Sequence, residues 1–201
     1  MTDPYRGVLD ALAGAGWKVR ERSVEQALPW SQLWPAELRE RYPNMPSALT
    51  GFLGRLDECV NADDTAWFLT AADYAGTSGS PWAWNAWELL ELESCAESDD
   101  AEAAAEVRQF WNDYLPFYMD VGGDYAYFAV RVTGPKSVTG EWLPPGARPL
   151  PEPRLGAVVH AEEEFRAVAE VAPSFSEFLD QLAAAMRDPP QRRKGPLAGM
   201  I

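Results

Sequence analysis

The residues that could support acid–base or metal chemistry near neutral pH are few in this chain. His160 is its one histidine; it ends a predicted strand and is followed by three consecutive glutamates at residues 162–164. Together with Asp120 and Asp124, it could form a carboxylate-assisted base or a metal site. A single histidine at a strand end is more often a packed or surface residue. We therefore keep a metal-dependent hydrolase that uses Asp120, Asp124 and His160 only as a third hypothesis.

Sequence patterns of common enzyme families are absent. The chain has no Gly-x-Ser-x-Gly nucleophile elbow, no phosphate-binding glycine loop before a helix and no His-Glu-x-x-His pair. Cys59 lies near an apolar stripe and Cys95 lies near acidic residues, and neither setting lowers the pKa of a thiol. We therefore expect a protein that is not an enzyme and that uses no cofactor and no metal ion.

Acidic side chains dominate the charge of the chain. The formal net charge is −14, and residues 1–186 carry 13 basic against 30 acidic side chains, a net charge of −17. Between Arg55 and Arg108 the chain has thirteen acidic residues and no lysine or arginine. Such a surface repels nucleic acid and anionic membranes and attracts a basic partner, although acidity alone also serves solubility. We expect a strongly negative surface region that binds neither nucleic acid nor membrane.

Three tryptophans, Trp82, Trp84 and Trp87, lie within six residues of one another in this acidic stretch. Stacking on nucleic-acid bases would need interleaved lysine or arginine, which this stretch lacks. Tryptophan is also typical of the centre of protein interfaces, and the alternative is that the segment packs into the core. We predict a partner-binding surface that includes Asp63, Asp64, Asp73, Trp82, Glu88 and Glu91.

Length and composition indicate one soluble domain. A chain of 201 residues that is 47% hydrophobic is long enough for one core and short for two. It has no apolar run of about 18 residues and does not start with a signal-peptide pattern, so we expect a cytoplasmic location. One disulfide between its two cysteines remains open. We expect a domain over residues 1–187, a disordered basic tail over residues 188–201, and a monomer or weak dimer.

The spacing of apolar residues predicts the main elements. Predicted helices cover residues 5–14, 35–41, 46–60 and 101–113 and a segment that starts at Ser174, where Glu177 completes a capping box. The helix over 46–60 rests on an apolar stripe of Leu49, Phe52, Leu53, Leu56 and Val60. Predicted strands cover residues 17–21, 65–70, 115–119, 125–132 and 156–160, the third and fourth joined by a hairpin at Gly122 and Gly123.

This order of elements predicts the fold class. Five prolines between residues 144 and 153 exclude a central strand there and indicate an irregular loop. We expect an α+β domain with a largely antiparallel sheet and helices packed on one face.

Four segments in this order resemble the SUKH superfamily, the Smi/Knr-like proteins. They are residues 33–42, residues 115–132, the strand at 156–160 and the helix start at 174–179. One departure is the stretch from Tyr42 to Pro46, where typical members have an asparagine-glycine loop. The resemblance implies a SUKH-like fold, and many bacterial members of the superfamily are immunity proteins that neutralise toxins.

The resemblance also implies a function. We expect an immunity protein that binds a basic toxin, for example a nuclease, and covers its active or substrate-binding surface. The alternative is a regulatory scaffold of the same superfamily that docks a cellular partner without any toxin.

Overall fold

The structure is a computed structural model that describes residues 3–23, 34–80, 101–122, 126–133, 155–162 and 169–187, together with residues 32 and 197. Several residues singled out in the sequence lie outside these ranges: Trp82, Trp84, Trp87, Glu88, Glu91, Cys95, Asp124, the proline-rich stretch over 134–154 and all of the tail except Leu197. Leu197 is buried.

A seven-stranded antiparallel sheet organises the fold. Each strand pairs with the next one along the chain, so the spatial order is the chain order and no crossover is needed. The strands are β1 Lys18–Glu21, β2 Leu56–Val60, β3 Ala66–Phe68, β4 Tyr114–Asp120, β5 Ala126–Arg131, β6 Val158–Glu162 and β7 Ala169–Ala172. The predicted α+β class with an antiparallel sheet is confirmed, and the sequence patterns did not reveal β7.

Six helices lie in the described part of the chain. They are α1 Arg6–Gly14, α2 Ala36–Arg41, α3 Ser47–Leu53, α4 Ala71–Tyr74, α5 Ala101–Asp113 and α6 Phe175–Arg187. At the start of α6, the backbone N–H of Glu177 donates to Ser174 Oγ over 3.2 Å, as the capping box predicts. None of these helices is both long and apolar enough to cross a bilayer.

The single helix predicted over residues 46–60 is wrong. Helix α3 ends at Leu53, and β2 begins at Leu56 after a turn at Gly54. Leu56 and Cys59 are buried at a spacing of three, which imitates the helical period. The segment is nevertheless a strand, because it pairs with β1 on one side and with β3 on the other. Backbone pairing across the sheet therefore overrides the local apolar period here.

Helices cover both faces of the sheet, where the sequence pattern predicts one covered face. Tyr127 and Phe128 are adjacent in β5, so their side chains point to opposite faces. Phe128 packs against Phe178 of α6 with ring centroids 5.3 Å apart, and Tyr127 packs against Trp111 of α5 at 5.9 Å. Helix α6 also contacts α1 and α3, so these three helices form the layer on the Phe128 side.

Candidate functional site

A groove of about 530 Å³ lies over β2 and β3 on the Tyr127 side of the sheet. Val60 and Trp67 are cross-strand partners, and the register continues through Met119 to Tyr127. Their side chains therefore share one face, and Glu58 lies on the same face two residues before Val60. A volume of this size is typical of sites that hold a small ligand or part of a partner chain.

The lining of the groove mixes apolar and charged side chains. Its members come from β1 to β3, the segment over 70–80 and the end of β4: Arg20, Asp57, Glu58, Cys59, Val60, Asp64, Trp67, Phe68, Thr70, Ala72, Asp73, Ser78, Ser80 and Val121.

The wall of the groove is anchored by a helix cap. Asp73 Oδ2 accepts a hydrogen bond from the backbone N–H of Thr70 over 2.6 Å and one from its Oγ1 over 2.7 Å. Both residues are 6% exposed. In the same short helix, the Tyr74 hydroxyl donates to the Pro116 carbonyl over 2.7 Å, and the Tyr74 ring stacks on Trp34 at 4.1 Å. The wall is thereby tied to β4.

The turn between β2 and β3 is held rigidly by Asn61. Its Oδ1 accepts from the backbone N–H groups of Thr65 and Ala66 over 2.8 and 3.1 Å, and its Nδ2 donates to Thr65 Oγ1 over 2.9 Å. Asp64 has a φ of 57°, a left-handed conformation that aspartate tolerates better than most residues. The turn therefore presents the exposed carboxylates of Asp63 and Asp64 in a fixed place at its tip.

Acidic residues around the groove face basic residues of β1 and its end. Three such ion pairs join β1 and the residue after its end to β2 and the turn that follows β2. They are Lys18 with Asp64 at 2.7 Å, Arg20 with Glu58 at 3.5 Å, and Arg22 with Asp57 at 2.7 Å. The hydrogen bond to Asp64 and the charge of this carboxylate raise the pKa of Lys18. The sequence places no lysine or arginine between Arg55 and Arg108, but the fold brings three cations alongside that stretch. The negative potential expected from composition is therefore reduced where β1 meets β2.

These ion pairs differ in how exposed they are and therefore in how much they stabilise the fold. Both side chains of the Lys18–Asp64 and Arg20–Glu58 pairs are more than 40% exposed. Exposed pairs of this kind contribute at most about 1 kcal/mol, so an incoming charged group can replace them at small cost. The Arg22 side chain is 20% exposed and donates to Asp57 Oδ1 through both Nε and Nη2, which makes this pair the better anchored of the three.

The structure places half of the residues predicted to bind a partner. Asp64 and Asp73 line the groove, Asp64 exposed at its rim and Asp73 buried in the cap of its wall. Asp63 is exposed at the neighbouring turn. Trp82, Glu88 and Glu91 lie outside the described residues. Whether any of the six contacts a partner stays a prediction.

Sequence reasoning missed the floor of the groove. The apolar stripe predicts a helix through Glu58 and Val60, whereas both residues lie in β2 and alternate with the buried Cys59. The sequence predicts Trp67 in a buried strand, yet its side chain is half-buried and faces the side opposite to Phe68. The alternation of Ala66, Trp67 and Phe68 within a predicted strand was the signal that could have shown this.

The residues of the hydrolase hypothesis do not converge in the described part of the chain. His160 is half-buried and packs against Phe128 with ring centroids 4.9 Å apart. Asp120 lies in another row of the sheet, paired with Ala126, and its Oδ1 accepts from the Gly122 N–H over 2.7 Å. Asp124 is outside the described ranges. Among the described residues, no group of three His, Cys, Asp or Glu side chains is placed to hold a metal ion.

The thiol of Cys59 is not placed for nucleophilic chemistry. Cys59 is 2% exposed, and burial raises the pKa of its thiol far above neutrality. The thiolate, which is the reactive form, is therefore scarce at neutral pH.

Comparison with models of protein families found a match. A family model described as the SMI1 / KNR4 family (SUKH-1) matches residues 46–181, which is more than half of the chain. The matched range begins just before α3, contains β2 to β7 and extends into α6, so it includes most of the groove. A search of curated proteins and a search of solved structures found no match.

Proposed function

This chain belongs to the SMI1 / KNR4 family (SUKH-1), and on that basis we propose that it is an immunity protein. It acts without catalysis: it binds a protein toxin in a one-to-one complex and covers the active or substrate-binding surface of that toxin. The family match over residues 46–181 is the observation that carries the proposal.

The groove and the neighbouring turn supply a surface suited to such binding. A half-buried Trp67 lies in the floor, and the carboxylates of Asp57, Glu58 and Asp64 line the same groove. An apolar centre with a polar rim is the usual composition of a protein interface, and aromatic residues commonly carry most of its affinity. The fixed turn that bears Asp63 and Asp64 reduces the entropy lost when the partner binds.

The overall acidity of the chain favours a basic toxin. The net charge of −14 attracts a positively charged protein and raises the association rate constant at low ionic strength. Raising the salt concentration from about 0.01 M to 1 M shortens the Debye length from about 30 to 3 Å, so association with such a toxin should slow strongly.

The test starts from the native cell. The tagged full-length chain is cross-linked and captured, its partner is identified by mass spectrometry, and the partner is expressed alone in a host under an inducible promoter. The proposal requires that the partner arrests growth and that co-expression of this chain restores growth at a one-to-one ratio. A captured partner that is harmless to the host would refute the immunity function and support the regulatory scaffold. Turnover of a compound by the purified chain would refute a purely binding role.

A further inference from the structure

We infer that the groove over β2 and β3 receives an arginine side chain of the partner protein, stacked on Trp67 and paired with Glu58. This inference rests on the proposed function, because it names the chemistry by which the same surface recognises its partner. It is carried by the charge of the lining, by the residues of the floor and by the exposure of an ion pair already present there.

The charge of the lining selects a cation. Three partly exposed carboxylates and one guanidinium line the groove: Asp57, Glu58, Asp64 and Arg20. A fourth carboxylate, that of Asp73, lies buried in the wall. Each of the three partly exposed carboxylates already has a cation of this chain beside it, and the Lys18–Asp64 and Arg20–Glu58 pairs are exposed and weak, so an incoming cation can exchange with Lys18 or Arg20, whereas an anion would be placed against the carboxylates of the lining.

The floor distinguishes arginine from lysine. Trp67 is partly exposed, and a guanidinium stacks on an indole ring more readily than a strongly hydrated ammonium does. Val60, the cross-strand partner of Trp67, and Val121 also line the groove and offer apolar contact to the methylene stem of the side chain. Glu58 lies on the same face as Val60, about 7 Å further along β2, where its carboxylate can accept from the fork of a guanidinium that rests on the ring.

Arg20 of this chain already forms the ion pair with Glu58 that we infer for the partner's arginine. Arg20 Nη1 lies 3.5 Å from Glu58 Oε2, and the two side chains are 67% and 43% exposed. A pair this exposed contributes little, so the incoming guanidinium can displace Arg20 from Glu58. Arg20 is therefore a competitor of the partner's arginine, and its removal should strengthen binding.

The test uses model compounds and does not depend on identifying the partner. The full-length chain, labelled with ¹⁵N, is titrated with N-acetyl-arginine-methylamide and, in parallel, with the neutral isostere N-acetyl-citrulline-methylamide. Saturable shifts of the Trp67 indole N–H and the Glu58 and Ser78 amides with the arginine compound alone are expected. Equal shifts with both compounds, or shifts confined to residues outside the groove, would overturn the inference.

Two variants and a matched control sharpen the result. Glu58→Gln should weaken binding of the arginine compound two- to fivefold, the range given by exposed charge pairs, and Arg20→Ala should tighten it by a similar factor. Glu40→Gln, an exposed substitution in α2 away from the groove lining, should change nothing. Unchanged spectra away from the groove establish that each variant is folded. If Arg20→Ala weakens binding, the displacement of Arg20 is refuted.

The two proposals can fail separately. A captured toxin that binds Trp67→Ala and Glu58→Gln variants as tightly as the unaltered chain would refute the arginine site while leaving the immunity function intact. A captured partner that is not toxic, but loses affinity for both variants, would refute the immunity function while supporting the arginine site.

Discussion

Asp73 is predicted from the sequence to contact a partner, and its substitution tests whether it stabilises the fold instead. Asp73→Ala removes the acceptor of two short hydrogen bonds from Thr70, and both residues are 6% exposed. The backbone N–H of Thr70 is then left buried without its acceptor, which typically costs 1–3 kcal/mol. Asp73 is the N3 residue of a capping box whose N-cap is Thr70, so the substitution removes this half of the box and leaves the N-cap side chain in place. We expect the free energy of unfolding to fall by about 2 kcal/mol.

The measurement is thermal and urea unfolding of the purified chain, followed by tryptophan fluorescence. For a chain of this length, each kcal/mol lowers Tm by about 2–4 °C, so Asp73→Ala should lower it by about 4–8 °C. Asp73→Asn keeps an acceptor oxygen but loses the charge-assisted character of the bonds, so its effect should be smaller. Asp63→Ala is the matched control: this carboxylate is exposed on the adjacent turn, and its removal should change stability by less than about 0.5 kcal/mol.

One outcome would refute this reasoning. If Asp73→Ala unfolds at the same temperature and urea concentration as the unaltered chain, the hydrogen bonds to Thr70 do not stabilise the wall of the groove. If the same variant also captures less partner, Asp73 is a contact residue, as the acidic pattern of the sequence predicts. If Asp73→Ala loses stability but captures as much partner as the unaltered chain, the role of Asp73 is only to hold Thr70 at the start of α4.

Three further predictions concern the packing, the pH dependence and the thiol. Gly51→Ala should destabilise the fold by about 1–3 kcal/mol in urea unfolding, because a Cβ at this position would clash with the Tyr5 hydroxyl. Burial raises the pKa of Asp3, but the N–H of Tyr5 and the guanidinium of Arg55 lower it more, so the native pKa lies below 3.8. Asp3→Asn removes the charge that pairs with Arg55 over 2.9 Å, a contribution of up to about 1 kcal/mol at pH 7, and the difference from the unaltered chain should shrink as the pH falls below 3.8, where the aspartate itself becomes protonated. Cys59 should react with a thiol reagent at pH 8 at the rate of unfolding, because its thiol is buried and its pKa is raised.

Each of these predictions has a control within the chain. Gly14→Ala, at a position where a Cβ meets nothing within 4 Å, should be neutral or slightly stabilising. Asp10→Asn removes an exposed carboxylate on α1 and should show little effect at either pH. Thiol labelling is carried out on a Cys95→Ala variant so that Cys59 alone reports. Rapid labelling of that variant under native conditions would show that the thiol is accessible.

The elements that could be predicted from the sequence are those whose signals are local. Helix α6 has its cap at Ser174 and an apolar stripe that includes Phe175, Phe178 and Leu182, and all three side chains are buried. The hairpin between β4 and β5 has Gly122 and Gly123 in the sequence that joins its apolar strands, and Tyr118 pairs with Phe128 across the two strands. Such signals depend on a few neighbouring residues, so no tertiary information is needed to interpret them.

The elements that were missed depend on partners distant in sequence. Strand β2 has a helix-like spacing of buried residues, and only pairing with β1 and β3 makes it a strand. Strand β7 is four residues long, with Glu170 exposed in its middle, and its pairing with β6 places it in the sheet. Helix α5 was predicted with the right ends, but the face that it covers follows from Tyr127, a residue of another element. The groove was missed for the same reason, because its floor joins β2 to β3.

Charge shows most clearly why the candidate site could be predicted only in part. A run of residues with thirteen acids and no base predicts a strongly negative patch, but β1 places Lys18, Arg20 and Arg22 beside the acids of β2 and its turn. Pairing of this kind lowers the potential without removing the carboxylates, and the two exposed pairs are weak enough to exchange partners. A cation that enters the groove therefore exchanges with Lys18 or Arg20 and does not meet bare acids. Specificity then depends on which cation binds Trp67 and the nearby carboxylates more strongly than Lys18 and Arg20 do. This favours a guanidinium, because it can stack on the ring and form two hydrogen bonds at once.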